Sequence, residues 1–245
     1  GESGCGKSVT AMSILRLIRE PGRISAGQIL YRPQREGAAE VDLLALPERA
    51  LRGIRGDRIA MIFQEPMTSL NPVFRIGDQI IETIRAHEPV SKAQARQRAI
   101  GPLDRVGIAM AQRRLDDYPH QLSGGMRQRV MIAIALACAP RLLLADEPTT
   151  ALDVTVQLEV LRILDRLVAE RGMGLLFISH DLRLVSSFCD RVLVMYAGRV
   201  MEQLDSARLD QAQHPYTQGL LNCLPRLGAS THPLPTLDRQ VSWSE

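Results

Sequence analysis

The chain has 245 residues, 45% hydrophobic and 23% charged, the balance of a soluble globular protein with one large domain or two small ones sharing a core. That excludes a disordered tail, a collagen-like fibre and a coiled-coil rod, and no uncharged apolar run approaches the roughly 20 residues a helix needs to span a bilayer. A net charge of +3 is too small to indicate a nucleic-acid partner without a concentrated basic patch.

Residues 1–8 (GESGCGKS) lead into VTAMSILRLI, whose apolar positions suit a helix closed by Pro21-Gly22. From Gly27 to Gly56 the chain is rich in glycine, proline and arginine, and short strands and loops are expected there. Arg58 to Gln64 (RIAMIFQ) has strand length and ends in the breakers EPMTSLNP. From Ile76 to about Arg114 the pattern is helical and polar, interrupted at Pro89 and at Gly101-Pro102, which reads as a small helical subdomain. Ser123-Gly124-Gly125 opens a helix with Val130, Ile134, Ala137 and Cys138 on its inward face, ended by Pro140. Arg141 to Ala145 is an apolar strand of the kind buried in a parallel sheet. Val160, Leu161, Leu164, Leu167 and Val168 repeat at helical spacing, GLLFIS (174–179) is another strand, and Arg191 to Gln203 reads as two strands around Ala197-Gly198. This alternation predicts an α/β fold with a mainly parallel sheet. The tail from Ser206 has no lasting periodicity and is expected to be an appendage. The first residue is a glycine inside a motif, so the chain reads as a fragment whose upstream part is missing; no charged-then-apolar leader opens it, and secretion is not expected.

Cys5, Cys138, Cys189 and Cys223 are far apart and lack CxxC spacing, which argues against both a disulfide framework and a zinc site. Lysine occurs only at Lys7 and Lys92, so a lysine inside a motif stands out against the arginine background.

Gly1 to Ser8 fits GxxxxGK[ST], a phosphate-binding loop. Gly1, Gly4 and Gly6 let the backbone take turns closed to other residues and bring N–H groups against phosphate oxygens. The helix that follows directs its positive end at the same anion. Lys7 would sit on the β- and γ-phosphates and the Ser8 hydroxyl on Mg²⁺, while Glu2, Ser3, Cys5 and Val9 contribute backbone amides. Asp146 and Glu147 follow an apolar strand, where open α/β sheets bind ligands. Asp146 can hold Mg²⁺ through water, and Glu147 can polarise an attacking water. Read alone, the pair could equally be solvated in the turn before Pro148. His180, after another apolar strand, could hydrogen-bond the γ-phosphate or simply cap its loop. Gln64, at a third strand end, could lend an amide oxygen to Mg²⁺ or be only polar. Leu122-Ser123-Gly124-Gly125 begins a second helix, with Ser123 as its N-cap, and offers a second anion site. Two anion sites and one nucleotide suggest a head-to-tail pair of chains with ATP between them.

Over most of its length the sequence resembles the nucleotide-binding subunits of ATP-binding cassette (ABC) transporters. Gly1–Ser8 looks like Walker A, Gln64 the Q-loop, LSGGMRQR (122–129) the signature, LLLADE Walker B, Ala151-Leu152-Asp153 the D-loop and His180 the switch histidine. FQEPMTSLNPVFRIGDQI (63–80), YPHQLSGGMRQRVMIAIALA (118–137), ADEPTTALDVTVQ (145–157) and HPYTQGLL (214–221) are similar to the subgroup that imports dipeptides, oligopeptides and nickel.

The resemblance implies a P-loop NTPase (RecA-like) fold over residues 1–205, with a helical subdomain inserted at about 65–122 and a C-terminal extension of the oligopeptide-transporter type at 206–245. The family's opening β segment, with its adenine-stacking aromatic, would precede Gly1. Implied cofactors are ATP and Mg²⁺, with Ser8, Gln64 and Asp146 toward the metal, Glu147, His180 and Gln64 catalytic, and Ser123, Gly124, Gly125 and Asp153 closing on nucleotide. Implied partners are a second cassette, identical or paralogous, two membrane permease subunits and, indirectly, an extracytoplasmic solute-binding protein. The location implied is peripheral, on the cytoplasmic face of the bacterial inner membrane, with Glu65 to Asn71 near the permeases. Cys223 stands alone after the His-Pro motif, so no iron–sulfur cluster is expected. The rivals are an ABC-type ATPase acting on nucleic acid or ribosomes, and a fragment that binds nothing.

Overall fold

A computed structural model describes residues 4–33, 39–64, 69–150 and 152–223. The chain divides into two compact units, one formed by residues 11–176 and the other by residues 1–10 with 177–245.

The first helix, α1 (Lys7–Ile14), begins in the smaller unit and ends in the larger. Its end falls short of the run to Ile18 that the apolar pattern suggests. Arg16 takes a left-handed φ of 51°, and the Leu17 amide reaches back to the Met12 carbonyl (2.9 Å) while the Arg16 amide reaches Ser13 (3.0 Å). This is a Schellman closure with arginine where glycine is usual. The Leu15 and Arg16 carbonyls, at this end, both accept from the Arg55 guanidinium, at 2.7 and 3.2 Å. Hydrogen bonding thus offsets a backbone conformation that disfavours a side chain.

In the larger unit β1 (Leu30–Tyr31) pairs antiparallel with β2 (Val41–Asp42), followed by the short helix α2 (Glu48–Arg52). Strand β3 (Ile59–Ile62) runs parallel to β4 (Leu142–Asp146), with Ile59 opposite Leu142 and Ile62 opposite Ala145. Both strands are nearly continuous apolar runs, as the sequence suggests for a parallel sheet covered by helices. β5 (Gly174–Ile178) lies third, beside β4, and only Ile178 in it is buried, so GLLFI makes a less covered strand than its composition implies.

Between β3 and β4 lies the helical insertion: α3 (Ile76–His87), α4 (Lys92–Arg105), α5 (Ala111–Arg114), a 3₁₀ turn at Pro119–Gln121, and α6 (Gly124–Ala135). α3 buries Ile76, Ile80, Ile81 and Ile84 along one face, and α4 opens with a reciprocal Ser91–Gln94 capping box. The break expected at Gly101-Pro102 does not occur. Pro102 sits in the last turn of α4, where its missing N–H removes only one ladder bond, and its ring is buried with Leu103. Helix α6 is buried on more sides than the single face expected, at Gln128, Val130, Met131, Ile132, Ala133 and Ala135, because it packs against α3, α4, β3 and α7 (Val154–Arg171). Ile134, Ala137 and Cys138 are only half-buried.

In the smaller unit α8 (Leu182–Phe188) precedes an antiparallel hairpin, β6 (Arg191–Tyr196) and β7 (Arg199–Asp205), as expected around Ala197-Gly198. Both turn residues have positive φ, 47° and 81°, the backbone that a primed two-residue hairpin requires. Helix α9 (Pro215–Asn222) closes the described chain. Tyr216 is fully buried in a core with Val185, Val192 and Val194, and its ring lies 4.8 Å from that of Tyr196. Residues 206–223, expected as an appendage, therefore contribute to this unit's core. Their motif explains why: His214 Nδ1 accepts the Tyr216 amide and caps α9, while the Glu202 carboxylate on β7 accepts the amides of Gln213 and His214.

Candidate functional site

The expected site residues fall into three groups, and Gly1, Glu2, Ser3, Ala151 and residues 65–68 of the segment expected near the permeases lie outside the described residues.

The first group is the loop before α1. Gly4 and Gly6 both have positive φ, 79° and 99°, and Cys5 between them is buried. The Cys5 carbonyl accepts the Gly198 amide at 3.0 Å, which fastens the loop to the β6–β7 turn. A Cβ on Gly6 would lie 3.4 Å from the Gly198 Cα, at the near edge of van der Waals contact, while its φ of 99° is a backbone that favours glycine. The Gly6 carbonyl accepts both the Thr10 amide and the Thr10 hydroxyl, each at 2.9 Å, and so begins the helical ladder. Lys7 opens the helix with its Nζ 3.5 Å from Cys5 Sγ; Ser8 is half-buried and Val9 exposed. The geometry is that of an anion cradle, a run of turned amides leading into a helix N-terminus. His180 belongs to the same unit and is exposed, two residues past β5. Its neighbour Asp181 caps α8 by accepting the amides of Arg183 (2.9 Å) and Leu184 (3.2 Å). Asp181 is thus the cap of α8.

The second group lies in the larger unit at the C-terminal ends of β3 and β4. Asp146 closes β4 and is 2% exposed. Glu147 follows with a left-handed φ of 45°, which turns its side chain out of the strand path. Gln64, 83 residues earlier in sequence, donates its Nε2 to Glu147 Oε2 at 3.3 Å. Two strand ends thereby bring together two side chains that the sequence could not connect. The Thr150 hydroxyl donates to the same Oε2 at 2.9 Å, and buried Thr149 accepts from Gln157 of α7 at 3.2 Å. Sequence reasoning singled out neither threonine. The one signal was position, since both follow Pro148 in a turn where a hydroxyl can reach back to its own backbone neighbours. Gly198 was missed for a similar reason: nothing in the sequence ties a distant hairpin turn to the glycine loop.

The third group is the pair of helix starts in the larger unit. Ser123 caps α6 by accepting the Met126 amide at 3.3 Å, and Asp153 caps α7 by accepting the Val156 amide at 3.0 Å. A Cβ on Gly125 would fall 2.6 Å from Val156 Cγ1, so glycine is what lets the two helix starts meet. Ser123, Gly124 and Asp153 are exposed. Just inside α6, Gln128 is buried with its Nε2 unpartnered, and Arg129 holds Glu159 of α7.

Among the described residues no helix is long and apolar enough to cross a membrane, and no group of three or more His, Cys, Asp or Glu could hold a metal by itself.

A family profile described as ABC transporter matches residues 1–150. A putative peptide import ATP-binding protein of Brucella melitensis biotype 1 is 54% identical over 233 residues, covering 94% of this chain and 68% of that protein. A glutathione import ATP-binding protein, GsiA, of Pectobacterium atrosepticum is 51% identical over 231 residues, covering 94% of this chain and 37% of that protein. Among solved structures, the ATP-binding cassette MJ0796, in a dimeric post-hydrolysis state bound to ADP and Pi, superposes with a TM-score of 0.71 at 28% identity, covering 84% of this chain and 83% of that one.

Proposed function

Because the chain belongs to the ABC transporter family, as an ATP-binding, ATP-hydrolysing subunit of an importer working with membrane permease components, we propose that it energises the import of peptides at the cytoplasmic face of the inner membrane. The observation that carries the reading is the loop of Gly4 and Gly6, two positive-φ glycines opening a helix at Lys7, in a chain about half identical to import ATP-binding proteins. The relatives' cargoes, peptides and glutathione, are what favour a peptide substrate over nickel.

In this reading the amides of residues 1–9 and the Lys7 ammonium hold the β- and γ-phosphates. The residues assigned to Mg²⁺ are Ser8, Gln64 and Asp146, an all-oxygen set. With no protein cluster able to bind a metal alone among the described residues, phosphate and water would complete the shell, which is how magnesium is usually held. Bound Mg²⁺ would neutralise charge on the phosphates. Glu147 takes the proton of the attacking water, and His180 donates to the γ-phosphate. The exposed Ser123 and Gly124, with Gly125 and Asp153, face the nucleotide of a second cassette, identical or paralogous. Binding of ATP draws the pair together, and it can do so only to the extent that it binds the closed pair better than the open one. Two permease subunits, with Glu65 to Asn71 against them, and an extracytoplasmic binding protein complete the importer, and the cassette spans residues 1–205 with an extension from 206.

Glu147→Gln tests the chemistry: phosphate release should stop while an ATP-bound dimer accumulates on size-exclusion chromatography. Undiminished release would remove Glu147 as the base. Uptake of labelled di- and tripeptides by cells whose copy of this protein carries that change tests the cargo; unchanged peptide uptake with lost nickel uptake would reassign it.

A further inference from the structure

From the shared acceptor at Glu147 we infer that Thr150 is a positioning residue for ATP hydrolysis, acting through the Glu147 carboxylate; the inference rests on the proposed role of Glu147 as base. Thr150 Oγ1 donates to Glu147 Oε2 at 2.9 Å, and Gln64 Nε2 donates to the same oxygen at 3.3 Å. A carboxylate with one oxygen held by two donors has its plane fixed, and the direction of its other oxygen is fixed with it. The two donors are not equivalent. Gln64 ends another strand, 83 residues away in sequence, so its hold on Oε2 lasts only while the two strand ends keep their approach. Thr150 belongs to the same turn as Glu147, its amide reaching the Glu147 carbonyl at 3.3 Å. It moves with the carboxylate and keeps hold of Oε2 whatever Gln64 does.

The turn is itself rooted. Thr149 is buried and tied to Gln157 on α7, and the Leu152 amide closes on the Thr149 carbonyl at 3.1 Å. Thr150 is exposed, so its side chain is not there for packing. Its hydroxyl is the part that has a function, and a methyl in its place keeps the shape.

The test compares Thr150→Val, Thr150→Ser and Glu147→Gln in the full-length protein by steady-state ATP hydrolysis. Thr150→Val should lower kcat about tenfold, the scale of one lost hydrogen bond to a charged group, with KM for ATP within about twofold. Thr150→Ser, which keeps the donor, should restore most of kcat. Thr150→Val at wild-type kcat overturns the inference. So does a Thr150→Ser rate as low as that of Thr150→Val, or a loss confined to KM, because either would mean packing or nucleotide binding rather than orientation. Glu147→Gln separates the two levels: hydrolysis surviving in that variant sinks the base itself, whereas inactive Glu147→Gln with normal Thr150→Val sinks the positioning role alone.

Discussion

The loop of Gly4–Gly6 and the turn of Glu147–Thr150 both carry positive φ, but they are held in opposite ways. The loop uses residues that lack a side chain and is fastened by main-chain contact, the Cys5 carbonyl with the Gly198 amide and Gly6 against Gly198. The turn puts a glutamate where glycine would be easier and steadies it with side-chain donors from Thr150 and Gln64. A surface that must present amides to an anion needs bare backbone, whereas one that must aim a carboxylate needs the side chain despite its strain. If that contrast is right, adding a methyl should harm the loop, and removing a side chain should hardly destabilise the turn.

The largest effect is expected at Gly6. A Cβ there meets the Gly198 Cα at 3.4 Å and forces a φ of 99° on an L-residue. Gly6→Ala should carry strain of about 2 kcal/mol and, if the loop moves to relieve it, weaken ATP binding roughly 30-fold. Gly4→Ala is the built-in comparison, since φ is 79° but nothing lies within 4 Å of its Cβ. Its loss should be several-fold smaller in a nucleotide titration. Equal losses would mean that backbone conformation alone, not the approach of the hairpin turn, shapes the loop.

These cases mark how far the sequence could be read. Glycines in a GxxxxGKS spacing announce their own backbone, and apolar runs such as Leu142–Ala145 announce a parallel strand, because each signal is local. The end of α1 was not legible, since the carbonyls of Leu15 and of left-handed Arg16 are met by Arg55, which lies 39 residues beyond Arg16. Pro102 read as a break because a proline's neighbours do not say whether it falls in a helix's last turn. The site shows the same division. Motif order placed Gln64 and Glu147 as separate candidates, but their direct contact, the Thr150 hydroxyl and the Gly198 anchor depend on tertiary approach. Asp153 had no signal beyond family resemblance, and the structure gives it a plain local task as the cap of α7.

A smaller effect is expected at Glu202, which separates donors from strain. Like Glu147 it is a carboxylate receiving several donors, but it sits on ordinary strand backbone. Burial pushes its carboxyl up, and the neighbouring Thr217 hydroxyl with the Gln213 and His214 amides outweighs this, so it rests below the usual glutamate value. A carboxyl lowered on folding adds stability above its unfolded value, about 4.3, and loses it as pH falls through the folded one. Wild type should therefore exceed Glu202→Gln by a few tenths to about 1 kcal/mol near pH 7, and the gap should shrink in denaturant unfolding as the pH is taken below the unfolded value. A gap that persists in acid would assign Glu202 to packing rather than to charge.

The smallest change in stability, with a complete change in activity, is expected at Glu147. Glycine there relieves a left-handed φ of 45°, worth about 1 kcal/mol for a residue with a Cβ. The same substitution loosens the unfolded chain and removes the exposed acceptor for Thr150 and Gln64, two terms of about 0.5 kcal/mol each acting the other way. Glu147→Gly should thus shift unfolding free energy by less than about 0.5 kcal/mol while abolishing hydrolysis. A loss of 2 kcal/mol or more would show that the glutamate holds the turn together, and the strain at this position could then no longer be ascribed to catalysis.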